Sequence, residues 1–330
     1  MSRIALTDVA RQAGVSTSTA SRVLNKSQVS VPISEHTRTR VETAASELGY
    51  RPSAAARALR TGQTRTFGVL GNSPQAFWLW SEGNDFTSEM MRGMMQAAIE
   101  HSYHLTLLTG ETAADRIPDF GMVDGLLVLN RDLSETPHIA ETLAGSGKPV
   151  LYLLDYPETQ TCHALAPDDI AMGQLATQTL LQAGHQRIGF ARTANWDGIF
   201  GRRERGWQQA MQVAGIETPA TWSIEPDGAA AIDEENLTAL VCANSHIARA
   251  IRKQVSAKVP ADLSLLTLVH ADTQGHPPAD LAAVTFPLAE IVHTGADRLI
   301  RLIQGETIEP QKQLYTPQYT SGPTLKEHLS

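Results

Sequence analysis

Four side chains near the amino terminus have the chemistry to read the edges of DNA bases: Thr17, Ser18, Ser21 and Arg22. They fall within residues 17–25, where Ala20, Val23 and Leu24 recur at helical spacing and leave those four on the opposite side. A guanidinium can donate two parallel bonds to guanine or contact a phosphate. Hydroxyls donate or accept, and the methyl of Thr17 can touch a thymine. A helix fits the major groove, so an amino-terminal turn built this way can deliver such groups to base edges. On spacing alone, the pattern also suits a three-helix packing module with a solvated polar face.

Positioning these groups requires neighbours. In residues 6–13, Leu6, Val9, Ala10 and Ala13 follow the spacing of a short amphipathic helix, and Gly14 can end it in a left-handed conformation. Ser16 can cap the following helix. A third stripe, Val41, Ala44, Ala45 and Leu48, runs from Ser34 to Leu48 with Gly49 as its stop. Two short helices joined by a tight turn and braced by a third predict a helix-turn-helix over residues 1–50. Residues 51–65 form a separate segment, in which Leu59 is the single large apolar side chain between Arg57 and Arg60. Such a leucine can wedge into a minor-groove step while arginines hold phosphates. An interdomain linker with Leu59 packed on a neighbour is the plainer alternative.

Charge divides the chain at the same place. Over 330 residues the net charge is −8, which taken whole argues against nucleic acid. Residues 1–65, however, hold 10 Lys/Arg against 4 Asp/Glu, a balance of +6. The other 265 hold 17 against 31, a balance of −14. Two cysteines, Cys162 and Cys242, lie far apart, which excludes a disulfide scaffold and suits a reducing cytoplasm. No apolar run is long enough to span a bilayer, and the first residues lack the apolar core of an export signal. A cytoplasmic protein without membrane partners is expected. There is no Gly-rich phosphate loop, no Gly-x-Ser-x-Gly elbow and no metal-ligand cluster, so neither an enzyme, a cofactor nor a metal is expected.

From residue 66, short apolar runs alternate with helical stripes. The runs are 67–70, 105–108, 125–129, 150–154, 188–190, 240–242 and 263–269; the stripes are 86–102, 137–146, 169–184, 201–214, 245–256 and 288–304. Such alternation predicts mainly parallel sheets covered on both faces, with ligands beyond the carboxyl ends of the strands. Met90, Met91, Met94 and Met95 read as core or subunit contacts. The run Arg202-Arg203-Glu204-Arg205 reads, on its own, as a solvated helix face.

The run Leu6-Thr-Asp-Val-Ala-Arg-Gln-Ala-Gly-Val-Ser-Thr-Ser-Thr-Ala-Ser-Arg-Val-Leu-Asn25 resembles the head of the lactose/galactose repressor family. So does Thr37-Arg38 through Glu47-Leu-Gly-Tyr-Arg-Pro-Ser53 to Ala56-Arg-Ala-Leu59. Further on, Gly184-His-Gln-Arg-Ile-Gly-Phe190, Arg203-Glu-Arg-Gly-Trp207 and Val259-Pro-Ala-Asp-Leu263 resemble the family's body. The resemblance implies an all-α helix-turn-helix head on a two-lobed α/β body like the periplasmic binding proteins. One lobe would take residues 66–165 and 286–316, the other 166–285 and 317–330.

It implies a transcription regulator, a repressor that binds a pseudo-palindromic double-stranded operator as a homodimer. A sugar or nucleoside-like effector would sit between the lobes. A solute-binding protein without a DNA role is the alternative. Thr17, Ser18 and Arg22 take the base-reading positions and Leu59 that of the wedge, with Thr7, Ser16, Ser21, Asn25 and Arg57 completing the DNA-contacting set. For the effector, Asn72 and Ser73 follow the first body strand and Asp155 the fourth, and the resemblance implies Asp168, Arg203 and Asn244. Asp169 stands where the family has Asn, and Ser245 where it has Asp. The strand ending at His270 lacks the family's usual acidic ligand, which leaves Asp272 as its substitute. Phe77, Trp78, Trp80, Trp196 and Trp222 are candidates for ring-stacking faces, against the plainer reading of each as core or lobe-interface packing. The loop 26–33 is longer than the family pattern, and 110–122 and 224–238 are shorter. No heptad segment follows the body, so dimers are expected rather than coiled-coil tetramers.

Overall fold

The computed structural model describes residues 4–24, 33–51, 58–59, 61–71, 85–108, 122–129, 137–158, 161–193, 198–219, 222–224, 232, 235–255, 258–271 and 278–326. The chain separates into two compact units, Met1–Arg65 and Thr66–Ser330.

The first unit holds α1 (Leu6–Ala13), α2 (Thr17–Leu24) and α3 (Glu35–Glu47). Its small core is the three predicted stripes: Val9, Ala10 and Ala13 meet Ala20 and Val23, with Val41, Ala44 and Ala45 beneath. The turn between α1 and α2 has visible causes. Gly14 adopts φ 61°, and its N–H and that of Val15 reach back to α1 carbonyls. The Arg40 guanidinium from α3 donates to the Ala13 carbonyl and, at 3.3 Å, to that of Gly14. That cation therefore braces the carboxyl end of α1, where the helix dipole favours it. At the start of α2, the Ser16 hydroxyl accepts the Thr19 N–H at 3.1 Å.

The second unit begins with β1 (Thr66–Leu70), α4 (Asp85–Glu100), β2 (His104–Leu108), β3 (Gly125–Leu129), α5 (Pro137–Ala144), β4 (Val150–Leu153) and β5 (His163–Pro167). There follow α6 (Asp169–Gln182), β6 (Ile188–Ala191), α7 (Ile199–Val213), β7 (Ser223–Ile224), β8 (Ala239–Cys242), α8 (Ser245–Gln254) and β9 (Ser264–His270). The unit ends with β10 (Ala282–Phe286), α9 (Leu288–Ile303), β11 (Lys312–Tyr315) and β12 (Gln318–Thr320). Two six-stranded sheets result, ordered β11-β5-β4-β3-β1-β2 and β12-β10-β9-β8-β6-β7. The central order repeats: 2-1-3-4-5 in the first sheet is matched by 7-6-8-9-10 in the second, the doubly wound pattern.

The chain passes between the sheets three times, after β5, between β10 and α9, and between β11 and β12. Among the described residues, the ladders are parallel except β10 with β12. β5, β7, β10, β11 and β12 fall outside the apolar runs read as strands in the sequence. β11 reads Lys-Gln-Leu-Tyr and pairs along only one edge, so half-polar residues suffice there.

Met90 and Met94 are buried on α4, while Met95 is exposed. Trp222 is buried in the core and its indole N–H donates to Glu235 at 3.1 Å, which fits packing rather than a ring-stacking face. Phe77, Trp78, Trp80 and Trp196 lie outside the described residues.

A candidate DNA-reading head and effector cleft

On α2, Ala20 and Val23 are buried, whereas Thr17, Ser18 and Arg22 are exposed and Ser21 is half-buried. Thr7 and Ser16 are exposed beside them. The Ser16 hydroxyl lies 2.8 Å from both the Ser18 and Thr19 hydroxyls, so the capping group and the candidate base-reading groups share one polar turn. Leu59 is 89% exposed in a short helical segment, far more than an apolar side chain used for packing. Asn25 and Arg57 fall outside the described residues.

The body's candidate residues converge where the two sheets adjoin. Asp168 follows β5, and its carboxylate accepts the Ala171 N–H at 3.0 Å, capping α6. Asn244 follows β8 and caps α8 in the same way through the Ile247 N–H at 2.9 Å. Asp155 follows β4. Asn72, Ser73 and Asp272 lie outside the described residues. β9 extends to His270, whose ring meets Phe86 of α4 edge-on at 5.2 Å, a contact made between the two lobes.

Arg202 and Arg203 are not on a solvated face; both are buried, 3% and 5% exposed. The cause is the contact of α6 with α7. Gly173 and Gly206 lack side chains where the helices touch, and a Cβ on Gly206 would lie 2.1 Å from the Ile170 carbonyl oxygen. This close approach sets the first turn of α7 against Asp169, the first residue of α6. Arg203 donates from Nε to Asp169 Oδ1 at 2.8 Å and from Nη1 to the Ala243 carbonyl at 2.6 Å. Arg202 donates to Asp169 Oδ2 from Nε at 3.2 Å and from Nη2 at 3.1 Å. The same Nη2 meets Asp155 Oδ1 at 2.7 Å.

Asp155 and Asp169 are themselves 3% and 1% exposed. The Arg202 guanidinium also stacks over the Tyr156 ring at 4.6 Å. Burial opposes its charge, but the Asp169 and Asp155 carboxylates outweigh burial and raise its pKa above the ordinary guanidinium value. Farther out on α7, Glu204 pairs with Arg192 at 2.8 Å and Arg205 with Glu158 at 3.1 Å. Asp169 and Arg202 thus join the candidate cleft residues, though sequence reasoning assigns neither as an effector ligand. The signals were there: an acid in place of the family's Asn, and a helical glycine three residues beyond Arg203.

Among the described residues, no cluster of His, Cys, Asp or Glu could hold a metal, and no helix is long and apolar enough to cross a membrane. Residues 5–53 match the model of the bacterial regulatory proteins of the lacI family, and residues 177–324 match a periplasmic binding protein-like domain. The ribose operon repressor of Escherichia coli K12 is 30% identical, over 94% of this chain and 96% of its own length. The HTH-type transcriptional repressor PurR of Photobacterium profundum is 26% identical, over 97% of this chain and 98% of its own. The lac repressor dimer bound to operator and an anti-inducer superimposes with a TM-score of 0.77 at 21% identity, over 98% of this chain and all of that one. A matching reading head on a matching body sets aside the solute-binding alternative: this chain belongs to the lacI family of bacterial regulatory proteins and is a DNA-binding transcriptional regulator.

Proposed function

We propose that this regulator represses transcription by binding a pseudo-palindromic operator as a homodimer, with a small molecule of the sugar or nucleoside class in the interlobe cleft setting its affinity. The observation that carries the reading is the polar turn of α2, with Thr17, Ser18 and Arg22 exposed above a buried Ala20–Val23 stripe. Ser21 completes that surface, Thr7, Ser16, Asn25 and Arg57 serve phosphates, and Leu59 enters a minor-groove step. Met95 and Ile99 are exposed four residues apart on α4, which suits a face covered by a second copy. The name of the ribose operon repressor supports a sugar-like effector. Asp155, Asp168, Arg203 and Asn244, with Asn72, Ser73 and Asp272, are the groups assigned to it. The reading places the protein in the cytoplasm and gives it no catalytic role.

Titration of labelled operator tests the head. Arg22→Ala is expected to weaken binding by about 5- to 150-fold per half-site, the ~1–3 kcal/mol of one bidentate base contact. It should relax discrimination at one base pair of each half-site. Affinity unchanged by the substitution refutes the assignment. Leu59→Ala is expected to reduce operator bending, seen as a smaller mobility shift of circularly permuted fragments, while the melting temperature stays constant. Equal bending removes the wedge.

A further inference from the structure

Arg202 has a geometry that neither the head nor effector binding requires. Its guanidinium is shared between carboxylates carried by different lobes: Asp155, at the end of β4, at 2.7 Å, with Glu158 of the same lobe at 3.9 Å, and Asp169, at the start of α6, at 3.1 Å. One face stacks on Tyr156, which belongs to the same lobe as Asp155. Nearby, Arg205 and Glu158 pair between the lobes, and Lys312 of β11 donates to the Glu158 carbonyl at 2.8 Å. The inner groups are buried and the outer pair is exposed, so the connection is strongest at its centre.

We propose that Arg202 is a built-in latch that holds the two lobes together before any effector arrives. The inference rests on reading the cleft as the effector site. Separating the lobes pulls Asp155 from Arg202, which keeps its bonds to Asp169, so a buried ion pair is broken before water can replace it. The lobe equilibrium is thereby preset by the chain itself. An effector shifts it only by its difference in affinity between the latched and unlatched arrangements. A molecule that opens the cleft must compete for Asp155 or Arg202, so its polar groups substitute for one end of the latch. A molecule that closes the cleft gains little, since closure is already favoured. The second guanidinium, Arg203, is held by the C-terminal lobe alone through Asp169 and Ala243, and stays in place whether or not the latch is made.

Spin labels report the distance between lobes in the effector-free protein. Glu141→Cys on α5 and Lys253→Cys on α8 supply exposed sites, in a Cys162→Ser, Cys242→Ala background. Labelled chain is diluted into unlabelled chain so that distances within one chain dominate. The latched protein is expected to give one short, narrow distance distribution. Arg202→Leu is expected to add a longer population, because Asp155 can be hydrated only by opening. Asp155→Asn keeps the side-chain volume and should do the same to a smaller extent; it serves if Arg202→Leu fails to fold. A variant that melts earlier yet keeps the single short distance overturns the proposal, as does an unchanged distribution in both. A separate thermal-shift titration with ribose and with adenosine addresses the effector reading. Silence there with an intact latch response counts against that reading alone.

Discussion

Replacing Asp169 by Asn is expected to lower the stability of the body by about 3–5 kcal/mol, the penalty for leaving buried charge without its partner. Two guanidinium groups converge on this one carboxylate, Arg203 on Oδ1 and Arg202 on Oδ2, and all three side chains are almost wholly removed from water. The amide of Asn keeps one acceptor oxygen but presents an NH2 group where the second guanidinium donates. Donor then faces donor, and two cations share a site in which Asp155 is the buried carboxylate left to them, with the exposed Glu158 3.9 Å from Arg202. For a unit of this size the melting temperature should fall by roughly 6–20 °C, read by circular dichroism of the intact protein. A fall under about 2 °C would mean that water already screens the cluster, contrary to its burial.

The sequence pattern made much of this legible. The three stripes of the head became its core, because in a unit of so few residues each helix has only one apolar face to bury. The strand–helix alternation of the body was equally readable, since buried parallel strands are near-continuous apolar runs such as Leu126–Leu129 and Leu265–Leu268. The site was less so. Asp168 and Asn244 were visible as candidate ligands, yet both also cap helices, a local role that any Asp or Asn before a helix fills. The run from Arg202 to Arg205 has the composition of an exposed face. Only the close contact of α6 with α7 turns its first half inward, and sequence periodicity carries no measure of how near two helices come.

That contact rests on two residues without side chains, and the comparison of two identical substitutions on one helix isolates it. Gly201→Ala places its Cβ 3.8 Å from the flexible Arg205 guanidinium, the nearest group beyond its own stretch of helix backbone, so it meets no obstacle. It should stabilise the protein by about 0.5–1 kcal/mol through helix propensity. Gly206→Ala, five residues on, sets a methyl 2.1 Å from the Ile170 backbone oxygen and 3.0 Å from the Gln174 nitrogen. Backbone on a packed helix cannot rotate away as a side chain can, so α7 must retreat along its whole first turn. Overpacking ordinarily costs about 1–3 kcal/mol, and a backbone obstacle puts this substitution at the upper end, near 3 kcal/mol. The retreat also draws Arg202 and Arg203 away from Asp169, which adds part of the penalty expected for Asp169→Asn. The two alanines should therefore shift the denaturant midpoint in opposite directions. Equal shifts would show that the helices do not approach through Gly206, and the burial of both arginines would then need another cause.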